Sequence, residues 1–102
     1  MVIEKQMNDN TLTVLVSGRL DTTTAPELER FLADSLDDVG HVVLDFAELE
    51  YLSSAGLRVL LATQKRMNQQ GEMQLRNVND TIMEVFEITG FLGILTIEHD
   101  AQ

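Results

Sequence analysis

The stretch "HVVLDF", His41–Phe46, constrains this chain more than any other. Its nearly unbroken apolar run predicts a strand covered on both faces, hence one in the interior of a sheet. Amphipathic stretches flank it. Upstream, Leu28, Phe31, Leu32, Leu36 and Val39 recur at helical spacing, with Glu27, Glu29, Arg30 and Asp34 on the outer face. Thr24 and Glu27 have capping-box spacing, Pro26 suits a first turn, and Gly40 is expected to close the helix. Downstream, Ser53-Ser54 opens a helix that ends at Gly71, with Leu57, Leu60 and Leu61 facing inward and Arg58, Gln64, Lys65 and Gln69 polar. A buried strand between helices implies a parallel pair joined by right-handed crossovers.

The remaining segments fit around this centre. "MVIEKQM" and "TLTVLVSG" are rich in β-branched residues and separated by "NDN", which predicts an antiparallel hairpin whose second strand ends at Gly18. "AELEYL" reads as a short connection and "EMQLRNV" as a further strand. Asn79 is placed to cap a helix with Ile82, Val85, Phe86 and Thr89 on one face, and Gly90 to end it. "ILTIEH" reads as a last strand. The predicted order is β-β-α-β-α-β-α-β: an α/β fold, a mixed sheet of about five strands flanked by helices, in a single domain over residues 1–102.

The formal charge of −10 argues against nucleic acid and anionic lipid, and favours either simple solubility or a partner with a basic docking face. With no Cys, thiolate chemistry and disulfides are excluded; this and the absence of a signal-like N-terminus or apolar span suggest a cytoplasmic, non-membrane protein. G-x-S-x-G is absent, and the two histidines, His41 and His99, read as strand-end or solvent-facing groups rather than catalytic bases. No metal-ligand spacing, P-loop or G-x-G-x-x-G occurs, so neither a metal nor a cofactor is expected, and no enzyme activity.

The pair Ser53-Ser54 stands out. One Ser would suffice to cap a helix, stabilising it by about 1 kcal/mol. A helix N-terminus also tolerates an anion, so a phosphate there would leave the fold intact while changing the surface by about −1.5 to −2 charges.

"LDFAELEYLSSAGLRVLL" resembles the signature of the STAS-domain anti-sigma factor antagonists of bacteria, in which a strand ending in Asp leads through a loop to Asp/Ser-Ser-x-Gly-Leu at a helix start. "VSGRLDTTTAPELE" is similar to the family's Gly-x-Leu-Asp segment, and "LRNVND…EVFEITGFLGILTI" to its Asn-Val, helix, Thr-Gly-Leu/Phe and final strand. The three segments occur in the family's order over nearly the whole chain.

The resemblance implies a phosphorylatable adaptor of a partner-switching circuit. The unphosphorylated form would bind an anti-sigma factor that is also a serine kinase, freeing a sigma factor for transcription; a PP2C-type phosphatase would reverse the modification. The alternative is a non-phosphorylated STAS subunit of a lipid-transport or stress-signalling assembly. The family's acceptor lies two residues before the Gly of Gly-Leu, which is Gly56 here, so it maps to Ser54. Ser53 replaces the Asp of many members and becomes a secondary acceptor candidate; Ala55 removes a further hydroxyl. Asp21 is expected near the phosphosite, with Thr22, Thr23, Ser53, Ser54 and Arg58 in partner docking and Arg19 on the same rim; Asp45 is expected to position a loop. Many members add a C-terminal helix not seen after "ILTIEH", so one sheet face is expected to be less covered.

Overall fold

The computed structural model describes residues 1–98. Its elements are β1 (Val2–Asn8), β2 (Thr11–Leu20), α1 (Ala25–Ser35), β3 (His41–Asp45), β4 (Leu49–Leu52), α2 (Ser54–Gln70), β5 (Glu72–Arg76), α3 (Asp80–Thr89), a 3-10 turn over Phe91–Gly93, and β6 (Ile97–Glu98). The predicted hairpin forms, with β1 antiparallel to β2 around a turn in which Asp9 takes a positive φ of 57°. The predicted central strand is central: β3 runs parallel to β2 on one side and β5 on the other, in the order β1-β2-β3-β5-β6.

Side chains alternate along β2, and Leu12, Val14 and Val16 join Val42, Leu44, Met73 and Leu75 on one buried face. Leu28 and Leu32 of α1, with Leu57, Leu60 and Met67 of α2, complete this core. Burying such side chains contributes roughly 1.5–3 kcal/mol each before the entropy of ordering is subtracted. On the opposite face Thr13 and Leu15 stay half-buried and line an open polar groove with Glu4, Gln6, Asp45 and Arg76.

The structure corrects several readings. "AELEYL" is not only a connection: Leu49–Leu52 forms a sixth strand, parallel to the end of β2. Gly18 therefore does not end β2. It takes a positive φ of 95° where the register shifts, and there β2 leaves β3 and takes up β4. Helix α1 stops at Ser35, with Leu36 as its C-cap, so Leu36 and Val39 join the core from the following turn rather than from the helix. Gly40 instead lies against the side chain of Asn10.

The Thr24–Glu27 capping box does not form. The Thr24 hydroxyl donates to the Arg19 carbonyl at 2.8 Å and accepts from the Asp21 N–H at 2.9 Å, which turns it back into the loop. Gln64, one of the polar residues of α2, is buried, and its amide donates to Asn68 Oδ1 at 2.9 Å. On α3, Ile82 and Phe86 are buried and Val85 partly so, but Thr89 is exposed and bonds back to the Val85 carbonyl. The last strand is two residues long, and His99 lies outside the described residues.

Candidate functional site

The β2–β4 pairing builds the site. It carries the end of β2 beside the end of β4, with Leu20 opposite Leu52. The Ser53 N–H then donates to the Leu20 carbonyl at 2.9 Å, so the chain enters α2 next to the loop that enters α1. Gly56 allows the approach. A Cβ there would lie 2.6 Å from Leu52 Cδ1 and 2.8 Å from Leu20 Cγ, so the first turn of α2 is seated by packing.

The two serines have different environments. Ser53 occupies the N-cap position, with extended backbone angles, but its side chain makes no cap hydrogen bond. Its hydroxyl oxygen is buried and has no hydrogen-bond partner among the described residues. Ser54 is the first helical residue and is exposed. No acidic residue stands in the first turn of α2.

Asp21 anchors the neighbouring loop. Its Oδ1 accepts from the N–H groups of Thr23 at 3.0 Å and Thr24 at 3.2 Å. The hydrogen bond from the Thr24 N–H, with those from Thr23 and the Thr24 hydroxyl and the charge of Arg19, holds its carboxyl below the ordinary value against a desolvation that pushes the other way. Arg19 Nε lies 3.7 Å from Asp21 Oδ2, and its guanidinium stacks 4.2 Å from the centre of the Tyr51 ring. Thr22 and Thr23 are exposed.

Thr22, Ala25 and Pro26 on one side, with Ala55, Arg58 and Val59 on the other, line a shallow groove of about 360 Å³ that also reaches Glu29. The structure thus brings Thr22 and Arg58 to one groove, with Ser54 next in the chain to one of its walls. Asp21 spends its carboxylate within its own loop, and Ser53 turns its hydroxyl inward. The sequence reading missed Ala25, Pro26, Glu29 and Val59 as groove walls. It also missed Tyr51, whose signal would have been its place opposite Arg19 in a strand pair that was read as a loop.

Asp45 ends β3 on the far side of the β3–β4 connection. Its Oδ1 accepts from the Ala47 N–H at 3.0 Å and from Asn77 Nδ2 at 3.0 Å, and Arg76 Nη2 meets Oδ2 at 3.3 Å. Burial pushes its carboxyl up, but the bonds from Asn77, Ala47 and Arg76 together outweigh it and hold it below the ordinary value. The carboxylate therefore fixes the loop that leads into β4. Beyond it, Asn79 caps α3 by accepting from the Ile82 N–H at 2.9 Å and ties it to β4 by donating to the Leu49 carbonyl at 3.1 Å.

His41 lies at the other end of the parallel strands, where its Nε2 meets Gln74 Oε1 at 3.1 Å. Among the described residues no group of three His, Cys, Asp or Glu is placed to hold a metal ion, and no helix is long and apolar enough to cross a membrane.

A sequence profile of the STAS domain matches residues 2–102. The protein BtrV of Bordetella bronchiseptica, a candidate anti-sigma factor antagonist, is 40% identical over 96 residues, covering 92% of this chain and 83% of that protein. The anti-sigma-B factor antagonist of Staphylococcus aureus is 31% identical over 102 residues, covering 98% of this chain and 94% of that protein. The crystal structure of an anti-sigma factor antagonist from Mycobacterium paratuberculosis superposes with a TM-score of 0.88 at 24% identity, covering 98% of this chain and 86% of that one.

Proposed function

The chain belongs to the STAS domain family, and from that premise we propose that it is an anti-sigma factor antagonist controlled by phosphorylation at Ser54. The names of its relatives support the antagonist role. One observation supports the choice of residue: of the two adjacent serines, Ser54 is exposed on the first turn of α2, whereas the Ser53 hydroxyl is buried.

The unmodified protein docks a serine kinase that is also an anti-sigma factor, in the cytoplasm, through the rim formed by the start of α2 and the Asp21–Thr24 loop. The kinase transfers the γ-phosphoryl group of ATP to the Ser54 oxygen. The bond to ADP breaks and the hydroxyl proton leaves to a base of the kinase. A PP2C-type phosphatase hydrolyses the ester and restores the hydroxyl. The chain is the substrate of these enzymes and performs no catalysis itself.

Two features favour a switch that spares the fold. Ser54 is exposed, so a phosphate displaces no core atom. It also lands at the positive end of α2, where the first turn carries no competing carboxylate. In an interface the same dianion meets desolvation and repulsion on the order of a few kcal/mol, and each 1.4 kcal/mol is tenfold in affinity.

Incubation with the cognate kinase and ATP should add one phosphate, which mass spectrometry places on Ser54; full modification of Ser54→Ala would overturn the assignment. Ser54→Asp should weaken kinase binding by about tenfold or more in calorimetry. An unchanged affinity contradicts the charge argument.

A further inference from the structure

The chain carries seven Lys and Arg against seventeen Asp and Glu, so an unpaired cation is worth locating. Arg19, Arg66 and Arg76 each face a carboxylate of their own: Asp21, Asp37 and Asp45. Lys5 lies over the Phe31 ring, and Arg30, Arg58 and Lys65 are exposed with neither an ion pair nor a side-chain hydrogen bond among the described residues; of these three, Arg58 is the one that lines the groove beside the start of α2. It is the only charged residue in the first two turns of α2, "SAGLRVLL".

Its position relative to Ser54 follows from helix geometry. Residues four apart share one face. Side chains on a helix lean toward its N-terminus, so the patch that Arg58 covers lies over the turn that holds Ser54. An acid placed four residues before a base is also the favourable order with respect to the helix dipole. Glu29 is the acid across the groove from Arg58, and it does not come within ion-pair distance. A phosphate of about −1.5 to −2 charges on the same helix face is the stronger competitor.

We propose that Arg58 is a two-position arm: in the unmodified protein it is offered to a carboxylate of the docking partner, and once Ser54 carries a phosphate it folds back onto that phosphate. Modification then withdraws the docking cation as well as adding an anion. This rests on the reading of Ser54 as the acceptor. It gives a chain of −10 net charge a route to a larger affinity change from one phosphate: the switch inverts the sign of a local patch rather than adding slightly to a global excess.

The test separates the two ideas. Phosphoserine is installed at position 54 during synthesis, without a kinase, and the second ionisation of the phosphate is followed by phosphorus NMR. Arg58→Gln should raise its midpoint by about 0.2–0.4 pH unit relative to the otherwise unchanged protein, and Arg58→Lys should return most of that shift. Equal midpoints in all three proteins overturn the arm. With the unphosphorylated proteins, Arg58→Gln should weaken kinase binding by about twofold, and the further loss caused by phosphorylation should be smaller by about the same factor, which is what the midpoint shift amounts to. An equal phosphorylation penalty with and without Arg58 also overturns it. A kinase that leaves Ser54 unmodified strikes the reading of the acceptor and leaves the NMR result to decide the arm on its own.

Discussion

Helix α3 begins under a side chain that caps it, and helix α2 begins under one that does not. At α3, Asn79 accepts from the Ile82 N–H, Asp80 adds a carboxylate to the first turn, and Asp45, Arg76 and Asn77 tie the approach to the end of β3. At α2, the Ser53 hydroxyl is buried without a partner among the described residues, the first turn has no acid, and the seat is apolar, made by Gly56 against Leu20 and Leu52. The difference lies in what remains on offer. A capped terminus has committed its unpaired N–H groups and some of its positive potential to its own chain. A terminus held by packing keeps both available to an incoming anion, and the exposed Ser54 is where a covalent one would arrive.

The comparison predicts that the two termini break differently. The largest effect belongs to Gly56→Ala. The new methyl meets Leu20 Cγ and Leu52 Cδ1 well inside contact distance, so either those two core side chains or the first turn of α2 must shift. Urea unfolding should show a loss of about 1–3 kcal/mol. An unchanged midpoint would mean that packing does not hold the start of α2.

The paired test is polar. Asn79→Ala removes a cap and leaves the Leu49 carbonyl without its donor, and should cost about 1–2 kcal/mol. Ser53→Ala removes a hydroxyl that bonds nothing among the described residues, and should fall within about 0.5 kcal/mol of the parent. Equal losses from the two substitutions would erase the contrast and make Ser53 a working cap.

Much of this architecture can be read in the sequence, because its signals are local. The apolar run at His41–Phe46 gives the central strand, and Asn79 gives its cap correctly, since cap chemistry needs only the next three residues. Most of the failures share a cause, a partner distant in sequence; Thr24 is the local exception, lost to competitors three and five residues away. Nothing within "AELEYL" says that it will pair with the end of β2, so the sixth strand and the Arg19–Tyr51 stack were invisible. Thr24 has the right spacing for a capping box, yet the Asp21 loop takes its hydroxyl. Gln64 looks like a surface residue until β5 packs beside α2. At the candidate site the sequence named Ser54 and Arg58, but not the groove between the two helices. That groove lies where α1 and α2 leave the paired ends of β2 and β4.

The smallest effect is the pH dependence of the α3 side. Asp45 is held below its ordinary value of 3.8 because the bonds from Asn77, the Ala47 N–H and Arg76 outweigh burial. Its folded pKa is thus below its unfolded one. The stabilisation it provides is complete above about pH 4 and declines as the pH falls through the lower, folded value. Asp45→Asn lacks that contribution at every pH, so the stability gap between parent and variant should be widest near neutrality and should narrow toward pH 3. Asp21 is depressed as well, but it is present in both proteins and cancels from the difference. Amide exchange locates the effect: in acid, protection should fall at Ala47 and Ile82 while Leu57, in the packed first turn of α2, changes little. A gap that stays constant between about pH 6 and pH 3 would show that the carboxylate charge does not hold this end. Equal loss of protection at Leu57 would show that the two termini are coupled, and that an anion placed on α2 would be felt at α3.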